Sequence, residues 1–391
     1  MVPKKFNILF LTSWYPNKIE PKNGNFIQQH AIATSKFCNV AVLHVLANNQ
    51  DEDFQIEERT QAGVYEVIVY YKKIKSTFPV ISQLLKLKKR RVAHLLGYNK
   101  ILNKIGAIDV CHLNIVYPSG DFALYLKNKF KIPYIISENW TSLHAPYYNS
   151  LNLMMKKLIS TTFDNASVIC PVSEDLKKSI QKISTNNNYQ IVPNVVNTDV
   201  FYPTQKIPEK RILHISNLKN EHKNITGILD TIKELSKIRT DFKISIIGDG
   251  DYEYFIKYAK KINLPENLYK IEGAKSYHEV AELMRAHDMF LLYSNYENLP
   301  CVIAEALVCG LPILTSNVGG TSEMVNETNG IIVPPANNIE LLKQLNSMLD
   351  NLNSYKTNEI ANVAKNKYCY ESVGRKFLQV YQNIINSKLE K

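Results

Sequence analysis

Two glutamates with seven residues between them, Glu297 and Glu305, stand in the stretch 293–325, YSNYENLPCVIAEALVCGLPILTSNVGGTSEMV. The pattern predicts a strand ending near Tyr293, a polar loop holding Glu297 and Leu299, and a helix from about Cys301 that carries Glu305. Pro300 falls at the helix start, where a missing N–H costs nothing. The amides of Cys301 and Val302 are then free, and with the helix dipole they make an anion site suited to a diphosphate. Glu305, one turn in, is placed to accept hydrogen bonds from the hydroxyls of an attached ribose. Gly310 and Pro312 stop the helix, and Gly319–Gly320 open a turn at the next strand end, where backbone can approach a ligand. A capping Glu297 and a solvated Glu305 would account for either residue alone. Two glutamates flanking one strand–loop–helix joint, with a glycine turn after it, favour a binding site.

A joint of this kind needs a parallel sheet behind it. Short apolar β-branched runs alternate with helical patterns along the whole chain. The strand candidates are Asn7–Thr12, Val40–Val45, Val64–Tyr70, Val110–Leu113, Tyr134–Ser137 and Ser167–Val172, then Ile212–Ile215, Lys243–Ile247, Tyr269–Ile271, Met289–Tyr293, Pro312–Ser316 and Gly330–Val333. Nearly continuous apolar strands separated by helices predict doubly wound parallel sheets covered on both faces. The Pro- and Asn-rich segment PNVVNTDVFYPTQKIPEKR reads as a linker, after which the pattern restarts. The expected division is a first domain over 1–200, a second over 201–370, and a last helix over 371–391 packing back toward the first. Two such domains would face each other across a cleft at the carboxyl ends of their strands.

Composition narrows the class. At 391 residues, 45% hydrophobic and 21% charged, the chain is a globular protein of more than one domain. No apolar run approaches the roughly 20 residues that span a bilayer. Six cysteines lie singly, without any CxxC, and Met1 to Phe10 has no leader pattern; both predict a reducing, cytoplasmic setting. Residues 1–200 carry 24 Lys and Arg against 14 Asp and Glu; residues 201–391 carry 23 against 22. The excess predicts an anionic partner for the first half, such as a membrane surface. Its densest cluster, Lys86, Lys88, Lys89, Arg90 and Arg91, is set among Leu84, Leu85, Leu87, Leu95 and Leu96 and reads as a basic amphipathic helix, with Lys72, Lys73 and Lys75 nearby. A solvated helix face explains the same residues equally well.

The spacing of Glu297 and Glu305, followed by AL-x-x-G-x-P and GG-x-x-E, resembles the E-x7-E signature of the family 4 glycosyltransferases. LTSWYPNKIEPKNGNFIQQHA is similar to the first strand and glycine loop of bacterial members that build surface glycans. VPNVVNTDVFYP, HISNLKNEHKN and IIGDG resemble the family's interdomain segment and its first two second-domain strands. The resemblance implies the GT-B fold, two Rossmann-like domains facing a cleft. It implies a retaining enzyme that moves a sugar from a UDP- or GDP-sugar to a hydroxyl of a lipid-linked surface glycan, at the inner face of the membrane. By the same resemblance Lys223 contacts the donor diphosphate, Glu297 lies beside the donor sugar, Glu305 holds the ribose, and Gly24 approaches the phosphate.

The chain departs from the family pattern at three positions. Asn217 stands where relatives carry arginine, leaving Lys219 as the neighbouring cation. Val195 replaces the interdomain glycine, and Asn139, in Glu138-Asn139-Trp140, replaces a histidine near the donor sugar, with His144 or His112 as candidates for its task. No cofactor is expected, and no metal either, because the cationic loop holding Lys223 offers an alternative to an ion on the diphosphate. Two other classes fit parts of the pattern: a sugar-nucleotide epimerase of the same fold, and a non-enzymatic binder of an anionic polymer. The second lacks the aromatic–basic motif that nucleic acid needs, so no nucleic-acid partner is expected.

Overall fold

The computed structural model describes residues 5–74 and 79–389. It divides into two compact units, Met1–Val195 with Tyr370–Lys391, and Val196–Cys369. The junction falls five residues before the expected one because Val196 already bonds within the second unit, its amide donating to Tyr368 O at 2.9 Å.

The first unit is built on seven strands: β1 (Asn7–Thr12), β2 (Asn39–Asn48), β3 (Phe54–Gln61), β4 (Val64–Lys72), β5 (Val110–Asn114), β6 (Tyr134–Glu138) and β7 (Val168–Pro171). Their order is β3-β4-β2-β1-β5-β6-β7, all parallel except β3, which pairs antiparallel with β4. The sequence reading had no β3. Its residues, FQIEERTQ, are mostly charged or polar because the strand forms a sheet edge, where few side chains are buried. The final helix, Tyr370–Leu389, buries Val373, Phe377 and Tyr381 in the same core as Ile8, Phe10 and Ile27 of β1 and the first helix.

The long helix Pro79–Ile105 lies over β2 and β4. Its basic cluster is only partly a surface feature. Arg90 and Arg91 pair with Asp121 at 3.0 and 3.6 Å, and Lys89 pairs with Asp53 at 2.5 Å. Lys86 and Lys88 stay exposed, and Lys75 lies outside the described residues.

The second unit holds β8 (Arg211–Ser216), β9 (Lys243–Gly248), β10 (Tyr269–Glu272), β11 (Met289–Leu292), β12 (Ile313–Ser316) and β13 (Gly330–Val333), all parallel, in the order β10-β9-β8-β11-β12-β13. Counted within the unit, that order is 3-2-1-4-5-6. The chain leaves β8 toward one side of the sheet and β11 toward the other, so the loops after these adjacent strands diverge and leave a crevice at their carboxyl ends.

Candidate functional site

Both loops at that crevice carry the residues singled out by type and spacing. After β8 come Asn217 and Lys219, both exposed, and then a single helical turn, Asn220–Lys223. After β11 comes the loop Tyr293–Pro300. Main-chain bonds join the two: the Asn295 amide donates to His222 O at 2.8 Å, and the Asn295 side chain donates to Glu221 O at 3.1 Å. This seam sets Lys223 Nζ directly against Glu297 Oε1, which also accepts from Ser294 Oγ at 2.6 Å. Glu297 is 7% exposed and the Lys223 side chain 15%, so the pair meets with little water around it. His214 lies beneath, between Leu291 O at 2.9 Å and Ser216 Oγ at 2.8 Å. Burial pushes its pKa down to about 4, so it stays neutral and leaves Lys223 as the cation facing Glu297.

The helix Cys301–Val308 forms as its sequence predicts, with Pro300 at its N-cap. The first amide to turn back is that of Ile303, to Pro300 O at 3.1 Å; the Cys301 and Val302 amides lie ahead of it. Leu299, in the loop before the helix, is buried at 9% exposure. Glu305 is partly buried, and its carboxylate accepts no hydrogen bond from the described residues. Burial alone pushes its pKa up to about 7. A carboxylate desolvated without a donor is poised to take one from a ligand.

Gly319 has a reason that its sequence position did not disclose. Its φ is +53°, and a Cβ there would stand 2.1 Å from Glu297 O and 3.0 Å from Asn298 O. The Gly320 amide donates to Asn298 O at 2.7 Å. The glycine pair therefore clamps the backbone of the Glu297 loop.

In the first unit Gly24 caps the helix Asn25–Ser35 with φ +68°, and a Cβ would meet the Trp14 and Tyr15 backbone at 2.7–2.9 Å. The loop between Trp14 and Gly24 is anchored by a network that sequence reasoning missed. Tyr15 Oη donates to Glu66 Oε1 at 2.6 Å, Arg59 Nε donates to Glu66 Oε2, and an Arg59 amine reaches Pro16 O at 3.1 Å. The signal was there: Glu66, 1% exposed, is the one acid in the apolar run Val64–Tyr71.

Asn139 donates from its side chain to Asn194 Oδ1 at 2.8 Å. Its neighbour Glu138 is fully buried and accepts the amides of Val116, Asn139 and Trp140 at 2.8, 2.9 and 2.8 Å. Burial raises the Glu138 pKa to about 7, although the three amides pull it down. His112 cannot serve in place of the missing histidine. Its ring is fully buried, held by Tyr381 Oη and Ser137 Oγ at 2.7 Å each. His144 sits on the loop after β6, with Nδ1 2.9 Å from Ser179 Oγ and 3.7 Å from Asp175.

Comparison with known proteins covers most of this frame. Residues 196–367 match the family model for glycosyl transferases group 1, and residues 40–200 match that for glycosyltransferase family 4. An uncharacterized glycosyltransferase of Methanocaldococcus jannaschii is 27% identical over 314 residues, 76% of this chain and 82% of its own. The putative teichuronic acid biosynthesis glycosyltransferase TuaC of Bacillus subtilis is 21% identical over 360 residues, 84% of this chain and 85% of its own. Among solved structures, HepE of Anabaena in complex with UDP superposes with a TM-score of 0.69 at 14% identity, covering 97% of this chain and all of that one.

Proposed function

The chain belongs to the family 4 glycosyltransferases of GT-B fold, of the kind that build bacterial surface polysaccharides, and from that premise we propose that it is a retaining transferase moving a sugar from a UDP- or GDP-sugar to a hydroxyl of a lipid-linked surface glycan. The observation that carries this reading is the crevice between β8 and β11, where the Lys223–Glu297 pair, the amides of Cys301 and Val302 and the unsatisfied Glu305 carboxylate lie on adjoining segments.

Each group has a task in the proposed reaction. The bond between the sugar's anomeric carbon and the diphosphate breaks, the acceptor's hydroxyl oxygen bonds to that carbon, and the diphosphate oxygen gains charge and takes up the hydroxyl's proton. Lys223, Lys219 and the helix amides stabilise that charge. Glu305 accepts from the ribose hydroxyls. Glu297, held by Ser294 and Lys223, lies beside the sugar. Asn217 and Asn139 contribute neutral hydrogen bonds where relatives place charged or titrating groups. HepE, a structural neighbour, is described in complex with UDP, which favours UDP as the nucleotide.

The proposed reaction needs no metal, because lysine and amides supply the positive field. The test is a thermal-shift screen of UDP, GDP and their sugars, followed by transfer assays in excess EDTA. One nucleotide at 100 times its Kd should stabilise the protein by about 2.7 kcal/mol. No shift with any nucleotide would sink the donor site. Loss of transfer in EDTA, restored by Mg²⁺ or Mn²⁺, would overturn the metal-free reading, and donor turnover without acceptor would point to epimerisation.

A further inference from the structure

The loops at the carboxyl edge of the first sheet are laced into one surface. Those after β1 and β5 are joined by two hydroxyls. Ser13 Oγ donates to Ile115 O at 2.8 Å and accepts the Ser119 amide at 3.1 Å, and Ser119 Oγ donates to Thr12 O at 3.2 Å. Those after β5 and β6 are joined by one carboxylate. Glu138, fully buried, accepts the Val116 amide on Oε2 and the amides of Asn139 and Trp140 on Oε1. Such an edge is where open parallel sheets bind ligands.

That carboxylate fixes two aromatic residues at once, Trp140 by its own amide and Tyr117 through its neighbour Val116. Their rings lie nearly parallel, 13° apart, with centroids separated by 6.1 Å. At that spacing the pair is offset, so each ring leaves part of its face uncovered by the other. Both residues are half-buried, and Trp140 rests against the core of the unit. Aligned faces on two pinned loops suit a flat ligand with an apolar side. A pyranose ring is such a ligand: its axial C–H bonds carry partial positive charge and meet the negative π face, while its hydroxyls stay in water at the rim. A bare phosphate is repelled by the same face. The charged groups assigned to the nucleotide sugar, Lys223, Glu297 and Glu305, belong to the second unit, which leaves the other substrate to this one.

We propose that Tyr117 and Trp140, held in register by Glu138, form a platform that seats a pyranose ring of the acceptor. This rests on the transferase reading and deepens it: the enzyme extends a glycan and does not start one on a bare lipid phosphate. Glu138 is a positioning residue. Its two oxygens accept from both loops, whereas a glutamine would accept on one side and turn its NH₂ against an amide N–H on the other.

The chain has two tryptophans, Trp14 and Trp140, so Trp14→Phe in the full chain leaves Trp140 as the fluorescent reporter. The probes are the methyl glycosides of glucose, galactose, mannose and N-acetylglucosamine, with glycerol, which has hydroxyls but no ring, as the control. At least one glycoside should change Trp140 emission saturably, and glycerol should not. Adding Tyr117→Leu should weaken that glycoside about tenfold, and Tyr117→Phe, which keeps the ring, should recover most of the loss. Glu138→Gln should shift Trp140 emission in the free protein and weaken the glycoside to a similar degree. If that buried change prevents folding, the two Tyr117 variants carry the test alone. No response to any glycoside, or equal affinity in Tyr117→Leu, overturns the platform. So does a Tyr117→Leu variant whose loss falls on nucleotide-sugar affinity instead, which would give the rings to the donor, or transfer by wild type to a polyprenyl phosphate carrying no sugar. Glycoside binding by a protein that transfers no sugar from any donor would leave the platform standing and remove the transferase reading.

Discussion

A carboxylate that burial holds near neutrality is costly to a free protein and useful to a ligand. Glu305, with a pKa of about 7 against the ordinary 4.5, is such a group. Its protonated form is favoured in the folded state, so the full stability is present below pH 4.5 and is lost as pH rises toward 7. Glu305→Gln should therefore stabilise the free protein at pH 8, by on the order of 2 kcal/mol, and change little at pH 4.5. The same substitution should weaken nucleotide binding by about 1.5–3 kcal/mol at pH 8, where a charge-assisted acceptor is lost. Wild-type affinity should climb through pH 7 and the variant's should not. Melting curves and calorimetry at the two pH values check both halves; a variant that is destabilised at pH 8, or binds nucleotide as wild type does, removes Glu305 from the role. Spacing alone made Glu297, Glu305 and Lys223 legible. Ser294 and His222, which fix how Glu297 and Lys223 meet, carried no signal because they act through short local contacts open to many loop residues.

Elements were legible in proportion to their burial. The buried strands of both sheets read directly from apolar runs, and the helix predicted from about Cys301 forms over Cys301–Val308. The missed β3 shows why: an edge strand keeps polar side chains, so its pairing partner defines it, not its own pattern. Yet β3 carries Arg59, whose guanidinium meets the buried Glu66 carboxylate. Arg59→Ala would leave that charge without its cation, and should destabilise the first unit by about 3 kcal/mol. Glu66→Gln, which still accepts from Tyr15, should cost less. Chemical denaturation ranks the two, and the reverse order would refute the network. The Gly319 turn makes a parallel case in the second unit. A Cβ at 2.1 Å from Glu297 O, at positive φ, cannot be fitted without moving the Glu297 loop. Gly319→Ala should lower kcat at least tenfold and stability by about 1–3 kcal/mol. An unaltered kcat would mean that the clamp does not position Glu297.

At the scale of the molecule, the return of the last helix to the first unit has a consequence in time. During synthesis the first 195 residues emerge complete except for the helix Tyr370–Leu389, whose Val373, Phe377 and Tyr381 belong in their core. At about 5–20 residues per second, the remaining 196 positions take roughly 10 to 40 s to appear. Throughout that interval the nascent first unit holds an open apolar groove, while the second, contiguous from Val196 to Cys369, can close on itself as soon as it is clear of the ribosome. Birth order and folding order are thereby inverted. A chain stopped at Cys369 should carry a native second unit beside a first unit that binds a hydrophobic dye and is cut early by protease. Supplying the segment 370–391 as a separate peptide should quench the dye and restore protection. If the stopped chain resists protease as the whole one does, the first unit needs no such closure, and the nascent protein no chaperone to wait with it.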